Sequence, residues 1–85
     1  MKNDFYVYCH INLETGLPFY IGKGKDKRSE DKYSRSTWWK STVDKYGYDI
    51  LHLDENLTEE EAFKLEIEYI TKLGRRDLGN GILIN

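Results

Sequence analysis

Glu66 is the acidic side chain hardest to read as an ordinary solvated surface group. Stepping about 100° per residue from Ala62, the apolar arc of this segment runs from Leu65 through Tyr69, Leu73 and Ile70 to Phe63 and Ile67. Glu66 falls at its middle, whereas Glu60, Glu61 and Glu68 fall elsewhere. A carboxylate there cannot stay ionised and unpaired, because desolvation costs on the order of several kcal/mol. It must hold a cation, be protonated, or line a cleft cut into the core face. Two readings stay open: a buried Glu satisfied by a tyrosine hydroxyl or an arginine, or a ligand for a hard divalent cation such as Mg²⁺. That ion takes one or two carboxylates, with waters and phosphate oxygens completing its octahedron. One Cys and two His exclude a disulfide framework and disfavour a zinc knuckle.

A second group of reactive side chains lies near the N-terminus. Residues 4–12 alternate, with Phe5, Val7, Cys9 and Ile11 on one face and Tyr6, Tyr8 and His10 on the other, the pattern of a half-buried strand. Glu14-Thr15-Gly16 signals a turn, and Leu17 to Gly22 reads as the returning strand. The register that makes one face wholly apolar pairs Val7 with Ile21, Cys9 with Phe19 and Ile11 with Leu17. It sets Tyr8 directly opposite Tyr20 on the other face, beside His10. Such phenols serve either as sheet stabilisers or as a reactive pair. His10 reads as an ordinary strand histidine or as a proton relay. His52, among Leu51 and Leu53, reads as structural, and Cys9 as a small core residue.

The net charge of −2 hides a division. Residues 23–45 carry eight cations against four acids, whereas residues 49–70 carry one lysine against eight acids. The basic block holds Lys23, Lys25, Lys27, Arg28, Lys32, Arg35, Lys40 and Lys45, interleaved with Tyr33, Trp38 and Trp39. It is either a solvated loop and helix or a footprint for a polyanion. Of the adjacent tryptophans, one is expected in the core and the other at its edge or facing a partner.

The elements that must position these groups make an α+β domain: a small three-stranded antiparallel sheet, the N-terminal hairpin plus a third strand, flanked by helices. Residues 23–32 read as a loop with a short helical turn. Ser36 or Thr37 caps a helix ending near Tyr46 and Gly47, and residues 48–53 form the third strand. Thr58 and Glu61 make a capping box for a helix ending at Leu73 and Gly74. A polar turn with Asn80-Gly81 leads to a last small strand, Ile82 to Ile84. Residues 1–85 are expected to be one domain. With no membrane span and no signal-peptide segment in the sequence, a cytoplasmic location is expected, in a bacterial or phage-infected host cell.

Three ordered blocks resemble the GIY-YIG endonuclease superfamily. YVYCHINLETGLPFYIGKGKDKR (6–28) resembles its opening, with YVY at 6–8 and YIG at 20–22 standing for the two motifs. EEAFKLEIEYITKLG (60–74) resembles the helix carrying its metal-binding glutamate, and GILIN (81–85) the segment carrying its asparagine. Tyr6 replaces the usual first glycine, as in a subgroup sharing the TGxPFYIGKG string. The resemblance implies the GIY-YIG nuclease fold and metal-dependent hydrolysis of DNA phosphodiester bonds, with Mg²⁺ or Mn²⁺ as cofactor. Carried onto this chain, it implies Tyr8 as general base, Tyr20 aligning water or phosphate, Glu66 as metal ligand, and Asn85 and Lys23 in the site. Arg28 is the implied phosphate-binding arginine, with Arg35 as competitor.

A phenol with a pKa near 10 is a poor base at neutral pH and needs Lys23, a metal or an arginine close by. Lys25, Lys27, Lys32, Arg35, Lys40 and Lys45 are the expected DNA-backbone contacts. Nothing in the sequence reads bases, so specificity falls to a homodimer, a partner, DNA shape or a C-terminal specificity domain beyond Asn85. The setting implied is a phage, mobile-element or restriction–repair one. The competing reading is a non-catalytic nucleic-acid-binding or regulatory module that keeps the fold.

Overall fold

The computed structural model describes residues 3–76, 79 and 81–85. Its elements are β1 (Phe5–Asn12), β2 (Pro18–Lys25), a 3-10 turn (Arg28–Glu30), α1 (Thr37–Tyr46), β3 (Tyr48–Leu57) and α2 (Glu59–Leu73). The strands form one antiparallel sheet in the order β2-β1-β3, flanked by the two helices. This is the small α+β arrangement expected from the sequence. No helix among the described residues is long and apolar enough to cross a membrane.

Both helices begin where side chains can satisfy their free N–H groups. The Ser36 hydroxyl accepts the Trp39 N–H at 3.1 Å, and Gly47 ends α1 at a φ of 74°. Thr58 and Glu61 form the reciprocal capping box of α2, at 3.1 and 2.9 Å.

β1 is the central strand and is covered on both faces, not half-buried as the alternation suggests. On one face Val7, Cys9 and Ile21 pack with Ala62 and Leu83, backed by Leu65, Tyr69, Ile70 and Leu73. On the other, Tyr6, Tyr8 and His10 are buried too, roofed by Trp39 of α1 and by the segment holding Ser29 and Arg35. The aromatic face is therefore a second interior, and alternation alone could not reveal the layer above it.

The hairpin register differs from the expected one by two residues. Cys9 pairs with Ile21, Tyr8 with Gly22 and His10 with Tyr20, with an irregularity beyond His10 that leaves Phe19 unpaired. A two-residue shift keeps every side chain on its own face, so the apolar pattern cannot distinguish the two registers. The turn and the ring sizes do. The Asn12 side chain accepts the Glu14 and Thr15 N–H groups, closing the turn, and Gly22 gives the Tyr8 ring its room. The released Phe19 joins Trp39 and Ile84 in a second apolar cluster.

Three further boundaries move. β2 runs to Lys25 and β3 to Leu57. The polar stretch Asp54-Glu55-Asn56 sits on an edge strand, where polarity does not end pairing, and Leu57 returns to the core. The expected strand at Ile82 to Ile84 is only an isolated parallel bridge between Arg75 and Leu83, although Leu83 and Ile84 are buried. The expected turn signal at Asn80 lies outside the described residues. On α2, Phe63 and Ile67 are 51% and 48% exposed, so the buried arc is narrower than the sequence implied, and Glu66 still lies inside it between Leu73 and Ile70.

Candidate active site

The aromatic face is organised around Tyr8, which is only 1% exposed. Its ring lies against Gly22, where a Cβ atom would come within 2.5 Å of both Cζ and the hydroxyl oxygen. Only glycine admits this approach. The Tyr20 ring centroid is 6.3 Å from that of Tyr8 and 5.5 Å from the ring of His10, on which it stacks. Tyr8 and Tyr20 are thus neighbours, though not directly opposed, and no hydrogen bond engages the Tyr20 hydroxyl among the described residues.

His10 is fully buried and both of its ring nitrogens are engaged. The Trp39 Nε1–H donates to Nδ1 at 2.9 Å, which makes Nδ1 the acceptor and leaves Nε2–H to donate to the Ser29 carbonyl at 2.8 Å. Burial depresses its pKa to about 4, against the pull of the Ser29 carbonyl and aided by the nearby Arg35 charge. The ring is a neutral strut joining β1 to α1 and to the loop after β2. Tyr6, the residue standing where the resembled motif has glycine, holds the same loop. Its hydroxyl donates to the Asp26 carbonyl at 2.8 Å and accepts the Ser29 N–H at 2.9 Å. The ring stacks on His52, whose Nε2 is 3.0 Å from the Ser29 hydroxyl oxygen.

The two arginines have different surroundings. The Arg28 guanidinium is partly exposed and is drawn to the Asp31 carboxylate and, at 2.8 Å, to the Ser34 hydroxyl. Asp31, bonded by Ser34 and by the Tyr33 N–H with Arg28 alongside, has its pKa lowered to about 2. Arg35, expected among the exposed cations, is only 7% exposed. Its Nε and Nη2 donate to the carbonyls of Asp31 and Arg28, and Nη1 donates to the Tyr8 hydroxyl at 2.9 Å.

The second half of the site lies along the free edge of β2, whose residues 19, 21 and 23 turn their backbone polar groups away from β1. An unpaired edge invites another strand, and here three groups cover it. The Ile84 N–H donates to the Phe19 carbonyl at 2.8 Å. Asn85 closes on both groups of Ile21: Oδ1 accepts the N–H at 2.9 Å and Nδ2 donates to the carbonyl. The Glu66 carboxylate sits beside Lys23, whose charge and backbone N–H both act on it. Successive outward positions on a strand are about 7 Å apart, so Glu66 and Asn85 are anchored on either side of Gly22, the residue that overlies Tyr8.

Glu66 is half-buried, and burial raises its carboxyl pKa while the Lys23 charge and N–H oppose that rise. The Lys23 ammonium is 3.7 Å from Glu59. Among the described residues no three His, Cys, Asp or Glu side chains converge. Glu66 is thus a single carboxylate at this edge, and the described residues build no all-protein metal cage around it. Lys25, Lys27, Lys32, Lys40 and Lys45 are exposed, Lys25 at the end of β2 over the Phe5 ring, Lys27 and Lys32 on the segment that follows, and the last two on α1. Trp39 is the core tryptophan, whereas Trp38 is exposed near Arg76.

Sequence reasoning overlooked Ser29, Gly22 and Tyr6 as structural members of this site, and Trp39 as the partner of His10. The alternation of Tyr6, Tyr8 and His10 across from Tyr20, Gly22 and Gly24 was the available signal, since large rings on one strand facing glycines on the next imply a packed aromatic layer. No protein-family model matches the chain, and comparison with curated proteins and with solved structures gives no match either.

Proposed function

We propose that the chain is a metal-dependent DNA endonuclease domain of GIY-YIG type, hydrolysing phosphodiester bonds with one Mg²⁺ or Mn²⁺ ion. The observation that carries this reading is the placement of Asn85 on Ile21 and of Glu66 beside Lys23, along the β2 edge on either side of Gly22, whose backbone packs against the Tyr8 ring. Glu66 would hold the ion, whose chemistry would be Lewis-acid stabilisation of charge on a phosphate and its leaving oxygen. Asn85 fixes the strand edge beside it. Tyr20, with its hydroxyl uncommitted, orients water or phosphate, and Tyr8 accepts the proton of the attacking water. His10 serves here as a positioning residue, because neither of its nitrogens is open to a proton from water. Lys25, Lys27 and Lys32 track the DNA backbone, a contact that weakens steeply with salt.

One observation favours the second reading, a nucleic-acid-binding module without catalysis: Tyr8 is 1% exposed and must be reached by water for the first reading to hold. Incubation of supercoiled plasmid with the protein in Mg²⁺, Mn²⁺ or EDTA separates the two. Metal-dependent nicking supports the nuclease. Binding at low salt without cleavage in either metal assigns the module.

A further inference from the structure

Arg35 is a buried cation without a buried anion. No carboxylate lies within 4 Å of its guanidinium among the described residues. Its three nitrogens spend their bonds on two backbone carbonyls and the Tyr8 hydroxyl. Its Cζ lies 5.1, 5.6 and 5.7 Å from the ring centroids of Tyr20, Tyr8 and Trp39. Aromatic faces and carbonyls offset part of the desolvation cost of a guanidinium, but they do not neutralise it.

Tyr8 shows the complementary imbalance. Its oxygen accepts from Arg35, yet its own O–H has no acceptor among the described residues. A buried phenol offered a cationic donor and no acceptor has one neighbour that favours its ionised form, against the burial that opposes it. Loss of the phenolic proton corrects both faults at once: an unsatisfied donor disappears, and the guanidinium gains an anion through its Nη1 bond.

We propose that Arg35 is the positioning residue for Tyr8, orienting its oxygen and stabilising it as a phenolate. The proton leaves Oη for solvent base and the electron pair stays on oxygen. In the reaction proposed above, that oxygen takes a proton from the attacking water, forming O–H as the water becomes hydroxide. The inference thus deepens the nuclease reading and rests on it for its purpose, though not for its test. The groups facing Tyr8 are Tyr6 and His10 on β1, Tyr20 on β2, His52 across from it on β3, Arg28 on the 3-10 turn and Arg35. Burial raises the Tyr8 pKa above 10, and Arg35, by hydrogen bond and charge, is the first influence drawing it back, ahead of Arg28.

The test uses the protein with fluorotyrosine in place of tyrosine, so that the phenols titrate within the folded range, read by ¹⁹F NMR. Each resonance is assigned by a Tyr→Phe variant. Arg35→Gln is expected to raise the Tyr8 midpoint by about one unit or more, a tenfold loss of phenolate at fixed pH, whereas Arg28→Gln moves it less. An unchanged midpoint in Arg35→Gln, or a larger shift in Arg28→Gln, overturns the proposal. If Arg35→Gln does not fold, the wild-type protein still decides: the Arg35 Nη resonances must titrate with the Tyr8 midpoint, and independence of the two overturns the pairing. A purely structural arginine would show neither effect. Should the wild type fail to cut DNA while the coupling is present, the nuclease reading falls and the pairing stands.

Discussion

Tyr8 and Gly22 occupy one space: the phenol fills the volume that any side chain on Gly22 would need, with 2.5 Å between the ring and the position of a Cβ atom. The pair lies between the edge positions that hold Glu66 and Asn85, so the glycine joins the buried phenol to the carboxylate edge. Replacing Gly22 by Ala must push Tyr8 aside. We expect Gly22→Ala to destabilise the fold by about 1–3 kcal/mol, read by urea unfolding, and to displace the Tyr8 ring resonances. Wild-type stability with unmoved resonances would contradict the packing described.

How much of this was legible in the sequence depends on which interaction carried the information. The helix caps at Ser36 and Thr58 were readable because capping is local, a matter of one oxygen and an N–H three residues on. The faces of β1 were readable, but the Tyr8–Gly22 register was not, because a two-residue slip conserves hydrophobicity and the turn and ring volume decide. Arg35 looked like one more cation of a basic block. Its burial depends on meeting Tyr8, 27 residues away, and no local pattern encodes that. Glu66 was legible as out of place on its helix, whereas its neighbour on the edge of β2, Lys23, has no sequence signature that ties the two together.

The buried neutral ring of His10 predicts a dependence on acid. Its folded pKa of about 4 lies below the ordinary 6.5, so folding favours the neutral form. The stabilisation is complete above pH 6.5 and is lost as pH falls through about 4, to the extent of about 3 kcal/mol. Urea unfolding of wild type and His10→Gln from pH 7 to pH 4 measures it. The stability difference between them should shrink as pH falls. A constant difference would show that His10 is not buried neutral.

Asn85 replaces a missing strand by pairing with both backbone groups of Ile21. Removing the amide in Asn85→Ala should cost about 1–3 kcal/mol and raise amide exchange at Ile21 selectively. Amides of β1 that pair with β3 should keep their protection. Unchanged exchange at Ile21 would show that the edge is not covered in this way.

The exposed lysines between residues 25 and 32 should act through the backbone of DNA, not its bases. Lys25→Ala, Lys27→Ala and Lys32→Ala should each reduce the salt slope of duplex binding by about one, in fluorescence anisotropy across salt concentrations, with no change of sequence preference. A slope unaffected by all three would place the DNA elsewhere on the surface.

The assignment of cleavage to this chain turns on Glu66. Gln is nearly isosteric with it but carries no charge for a cation, so single-turnover cleavage of a duplex by Glu66→Gln in Mg²⁺, with DNA affinity measured alongside in EDTA, isolates that contribution. Cleavage should be at least about a hundredfold slower, a loss of about 3 kcal/mol, with affinity in EDTA undiminished. Cleavage at the wild-type rate by Glu66→Gln would contradict the assignment.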